Sequence, residues 1–139
     1  MRMQRIRLVL VPTDFSSTAD HTYRFASQLC EELGAALIAL HVIAPIHYLE
    51  AADSALVARE AREAAQKALS KLRPVPKRTL IERGVPHDVI VGTAKSLGVD
   101  LIIMGTHGRL GLKRLVLGSV AENVVRHAPC PVLTVRGRK

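Results

Sequence analysis

The chain has 139 residues, 48% of them hydrophobic, with 20 basic against 12 acidic side chains and a net charge of +8. That length predicts one domain, 1–139, with a core large enough to fold without staples, and the composition excludes global disorder. No apolar run approaches the ~18 residues of a membrane span, and the basic residues 1–7 lead into neither a signal-peptide h-region nor a small-residue cleavage site, so no secretory leader is expected.

Residues 5–11 read as a strand that Pro12 ends, and 13–17 as a turn rich in helix-capping residues. The helix that follows runs to about residue 33, with Ala26, Leu29, Cys30 and Leu33 on one face and Gly34 as its C-cap. A second apolar strand occupies 35–43. Residues 51–72 carry the clearest helical pattern, an apolar stripe of Ala61, Ala64, Ala65, Ala68, Leu69 and Leu72. Pro74 and Pro76 break the chain before a third strand, 77–83, whose charges suggest a sheet edge.

A third helix opens at Pro86 and closes at Gly98, with Val89, Ile90, Thr93, Ala94 and Leu97 on its buried face. The fourth strand, 100–104, is the most hydrophobic and runs directly into Gly105-Thr106-His107-Gly108. A thirteen-residue connection, 105–117, leads to Gly118 and a fourth helix beginning at Ser119, with Val120, Val124 and Val125 facing inward. Pro129-Cys130-Pro131 introduces the last strand, 132–135. Strand and helix alternate throughout. Near-continuous apolar strands predict a sheet covered on both faces, and right-handed crossovers make it a doubly wound α/β fold. Ligands of such folds lie beyond the carboxyl ends of the strands, where strand order reverses.

Three segments converge on that edge: Pro12-Thr13-Asp14, His41-Val42-Ile43, and the loop from Met104-Gly105 to Gly118-Ser119-Val120. Glycines and a hydroxyl between a strand and a helix are what a phosphate-binding loop requires. They let backbone N–H groups approach an anion without a Cβ in the way, and the helix start adds unpaired donors and a favourable dipole. Asp14 would repel phosphate directly. It is expected to face a ribose hydroxyl, to reach phosphate through a divalent cation, or to cap the first helix. Ser119 has a competing role in a capping box with Glu122. His107 could equally be a solvated loop residue, and Lys113 and Arg114 either neutralise phosphate or face solvent. His127 complements a helix dipole.

The +8 charge favours polyanionic partners or serves as a solubilising surface. The aromatics, Phe15, Tyr23, Phe25 and Tyr48, form no stacking platform for single-stranded nucleic acid. Cys30 and Cys130 lie far apart without metal-ligand spacing, which fits a reducing cytoplasm.

Residues 105–119 follow the pattern Gly, two residues, Gly, nine residues, Gly, then Ser. On this motif, the Val11-Pro12-Thr13-Asp14-Phe15-Ser16 turn, His41-Val42 and Cys130-Pro131-Val132-Leu133, the chain resembles the universal stress protein family of the ATP-binding type over its whole length. The resemblance implies an adenine-nucleotide α-hydrolase-like fold of five parallel strands ordered 3-2-1-4-5 with helices on both faces. It also implies ATP or another adenine nucleotide as ligand, with Mg²⁺ or Mn²⁺ on the phosphates, and a cytoplasmic stress-response regulator with an unidentified protein partner. By position, Asp14 corresponds to the nucleoside contact, Val42 to the adenine contact, Met104 and Gly105 to the ribose side, and His107, Gly108 and Arg109 to the phosphate entrance. Gly118, Ser119 and Val120 correspond to the phosphate donors.

Two other classes stay open. A slow ATP-hydrolysing or phosphoryl- or adenylyl-transferring enzyme lacks support from a phosphate-loop lysine, since no Gly-Lys-Ser/Thr ends the loop. A basic nucleic-acid binder would set its charges along one recognition helix, whereas here they are spread. The apolar edge formed by 132–135 predicts a homodimer paired through that strand.

Overall fold

A computed structural model describes residues 4–45, 51–107 and 117–137, with the side chains of 51 and 52 outside the description. In chain order the elements are β1 (Leu8–Pro12), α1 (Ser17–Leu33), β2 (Ala36–Ile43), α2 (Ala51–Ser70), β3 (Arg78–Arg83), α3 (Pro86–Leu97), β4 (Leu101–Gly105), α4 (Ser119–His127) and β5 (Val132–Val135). The strands form one parallel sheet ordered β3-β2-β1-β4-β5. The expected doubly wound architecture and strand order are both present.

The period of two along each strand divides the interior into two cores. Val9 and Val11 of β1, Leu37 and Ala39 of β2, and Leu101 and Ile103 of β4 point to one face, where they meet Tyr23, Ala26 and Cys30 of α1 and Leu69 of α2. Leu10, Ile38, Leu40, Ile102 and Met104 point to the other, against Ile90 and Ala94 of α3 and Ala121 and Val124 of α4. Because β1 holds the centre, its neighbours β2 and β4 are entered from opposite sides, and the order of winding reverses between β1 and β4.

Local chemistry sets the boundaries. Ser16 caps α1, its hydroxyl accepting from the Ala19 N–H at 3.1 Å. Gly34 ends α1 in the left-handed conformation, at φ 66°. β1 starts at Leu8, later than the pattern suggests, because the Arg7 and Leu8 N–H groups both donate to the Asp100 carboxylate at 2.9 Å. Three apolar expectations fail. Leu33 and Val125 are exposed, as is Ala64, while Ala65 and Leu69 carry the α2 contact. Among the described residues, no helix is long and apolar enough to cross a membrane.

Candidate functional site

The turn after β1 is fixed by its own side chains. The Thr13 N–H continues the ladder to the Leu40 carbonyl at 2.8 Å. Thr13 Oγ1 accepts from the Phe15 N–H at 3.1 Å, and Asp14 Oδ1 accepts from the Ser16 N–H at 3.0 Å. These short side-chain turns suit Thr and Asp. They hold Phe15 at φ 63°, a conformation that costs a bulky residue roughly 1–3 kcal/mol. His41 supports the turn from β2. Its Nδ1 lies 2.8 Å from the Thr13 carbonyl, which only accepts, so Nδ1 carries the proton. Its ring packs on Phe15 at 4.6 Å. Asp14 is therefore not the helix cap; that role belongs to Ser16.

The glycine segment is closed at its base. A Cβ on Gly105 would sit 3.2 Å from Thr18 Cγ2, so glycine lets α1 approach the end of β4. The Thr106 N–H donates to the Val135 carbonyl at 3.1 Å, and the Gly118 N–H donates to the Thr106 carbonyl at 2.7 Å. A Cβ on Gly118 would lie 3.1 Å from that same carbonyl oxygen. The expectation that Gly118 offers its own N–H to a phosphate is thus corrected, because that donor is committed to Thr106.

Gly118 is instead the N-cap of α4, in extended conformation, and its carbonyl receives the first helical bond, from the Glu122 N–H at 2.9 Å. The N–H groups of Ser119, Val120 and Ala121 precede that bond and have no partner within the helix. The capping box does not form. Ser119 is the first helical residue rather than the cap, and the Glu122 carboxylate pairs with Arg126 at 3.0 Å. His107 is no solvated loop residue either. Its Nδ1 lies 3.1 Å from Thr106 Oγ1, and its Nε2 is buried with no hydrogen-bond partner among the described residues.

These pieces enclose a cavity of about 590 Å³ at the carboxyl edge between β1 and β4, within the range of small-molecule sites. Pro12, Thr13, Asp14, Val42, Met104, Gly105, His107, Gly118, Ser119 and Val120 all line it. Gly108, Arg109, Lys113 and Arg114 lie outside the described residues. The sequence reading missed Pro86 and Ile90, which close the wall from α3. A proline that starts a helix on the α4 side of the sheet is the signal that could have found them. Leu40, Val42, Ile90 and Met104 make an apolar base, and Thr13, Asp14, Thr106, His107 and Ser119 supply polar groups. Among the described residues no three metal-ligating side chains cluster.

A family model described as the universal stress protein family matches residues 5–136. The chain belongs to that family. It is 36% identical to universal stress protein MJ0531 of Methanocaldococcus jannaschii over 94% of this chain and 82% of that protein. Among solved structures, MJ0577 of the same organism superposes with a TM-score of 0.78 at 33% identity, covering 98% of this chain and 99% of that one. A universal stress protein solved in complex with cAMP superposes at 0.64 with 27% identity, covering 97% of this chain and all of that one. The fold is that of these universal stress proteins.

Proposed function

We propose that the chain binds ATP or a closely related adenine nucleotide in this cavity and acts as a nucleotide-dependent regulator of the stress response. The observation that carries the reading is the union, in one cavity, of an apolar base with three N–H groups at the start of α4 that have no partner within the helix. An aromatic base is recognised by apolar walls and a few placed polar groups, and phosphate by a helix N-terminus. Val42 is assigned to the adenine side, and Asp14, Met104 and Gly105 to the ribose. Ser119, Val120 and Ala121, with Nε2 of His107, are assigned to the phosphates. The cAMP bound by a 27%-identical relative supports the ligand class.

A divalent cation fits here as a companion of the phosphates. Asp14 is the carboxylate lining the cavity, and Mg²⁺ takes most of its ligands from phosphate and water. The protein is assigned to the cytoplasm as one domain, 1–139, dimeric through β5 and reporting nucleotide state to a protein partner.

Calorimetry with ATP, ADP, AMP and cAMP tests the reading, on the wild type and on Gly118→Val and Ser119→Ala. ATP binding that weakens by at least ~10-fold in Gly118→Val is expected, since the side chain must displace the Thr106 carbonyl. Unchanged affinity in that variant places the ligand elsewhere. Hydrolysis is expected to stay below ~1 s⁻¹, the lower end of ordinary enzymes; faster turnover would assign the site to catalysis.

A further inference from the structure

The two edges of the sheet differ in chemistry. β5 offers Val132-Leu133-Thr134-Val135, without charge. β3 offers Arg78-Thr79-Leu80-Ile81-Glu82-Arg83. Residues 71–83 hold five basic side chains, Lys71, Arg73, Lys77, Arg78 and Arg83, against the single acid Glu82, which is half of the molecule's net charge. All five are exposed, and among the described residues none is in an ion pair. Arg73 also donates to the Ser70 and Leu72 carbonyls at 2.9 and 2.8 Å, holding its guanidinium against the end of α2.

A groove of about 490 Å³ runs between this end of α2 and β3. Its apolar walls include Leu69, Leu72 and Ile81, and Val75, 71% exposed, stands at its rim. Lys77 and Arg78 also line it, and among the described residues no acidic side chain does and none is shared with the nucleotide cavity. The backbone is equally open. The Lys77 N–H donates inward to the Leu37 carbonyl at 2.9 Å, so by the alternation of a strand Arg78, Leu80 and Glu82 turn their N–H and C=O groups outward. Among the described residues nothing pairs with them.

We infer that the β3 edge and its groove dock an extended, acidic segment of a partner protein, which adds as a sixth strand beside β3. Strand addition uses main-chain bonds for affinity and side-chain pockets for choice of partner. Here the pockets are apolar and the rim is cationic, so an alternation of apolar and acidic residues is the complement. A second copy of this chain is disfavoured because each edge carries five basic residues against one acid, so pairing two of them would gather like charge along one seam. Nucleic acid is disfavoured because residues 71–83 contain no aromatic side chain to stack bases. The inference stands apart from the nucleotide reading, since it uses a different edge of the sheet.

The test is fluorescence anisotropy with a labelled octapeptide of alternating Val and Glu. Controls are the same peptide N-methylated at alternate amides, and an oligothymidylate of equal charge. The expected result is binding of the plain peptide and slowed amide exchange at Arg78, Leu80 and Glu82. Affinity should fall at least ~10-fold in Lys77→Glu/Arg78→Glu, and the N-methylated peptide should not bind. Equal binding of the N-methylated peptide would overturn strand addition. Tighter binding of the oligothymidylate would assign the surface to nucleic acid, and no peptide binding at about 1 mM would overturn the proposal outright.

Discussion

Gly118 shows how much one residue's backbone decides. Its φ of −61° is open to any residue, so the demand for glycine comes from space, with the Thr106 carbonyl 3.1 Å from where a Cβ would stand. Gly118→Ala is expected to cost about 1 kcal/mol of stability, read as a lower urea midpoint. His41 is a second case. Replacing it with Phe keeps the packing on Phe15 and removes the donor to the Thr13 carbonyl, and nucleotide affinity is expected to drop by roughly 10-fold with the fold intact by circular dichroism.

Tyr23 reports on alkali. Its hydroxyl donates to the Pro74 carbonyl, and burial pushes its pKa above the ordinary 10.0. The unfolded chain therefore loses this proton first. The corresponding stability is present below pH 10 and is lost as pH rises through the folded value. Urea midpoints at about pH 8 and about pH 11 should fall less between the two for Tyr23→Phe than for the wild type. At this scale the sequence was only partly legible. Spacing identified the glycines, and the place after the first strand with the family resemblance identified Asp14, but neither reveals which N–H is already committed within the fold. Nor could spacing give His41 a role, because its partner lies 28 residues away.

Among the elements, strands were easiest to read, because a sheet covered on both faces demands unbroken apolar runs. Helix ends followed from their caps. Ser16→Ala is expected to destabilise by about 1 kcal/mol through loss of the Ala19 bond, measurable as a reduced melting temperature. Helix faces were harder. In α4 the inward positions are Val120, Ala121 and Val124, yet apolarity alone favours the bulkier Val125, which is 47% exposed. Small residues mark close approach of a helix to a sheet, and a hydrophobic pattern undervalues them. In α2 the error ran the other way, since a run of alanines widened the expected stripe to include the exposed Ala64.

For the whole molecule, the contrast between edges separates self-association from recognition of others. The Ile102 N–H donates to the Pro131 carbonyl and the Thr106 N–H to that of Val135, so Val132 and Thr134 turn their backbone groups outward. If β5 forms the dimer, Thr134→Pro removes an outward donor at a position where an edge strand tolerates proline. A monomeric mass by sedimentation is then expected, against a dimer for the wild type. The bond from Gly118 to Thr106 has a different consequence. It ties together the two ends of residues 107–117, so the start of α4 is registered to β4 without reference to how many residues lie between. Adding two residues to that segment would cost only ~0.2 kcal/mol of closure entropy. The floor of the cavity is therefore held by β4 and α4 themselves, through one backbone bond.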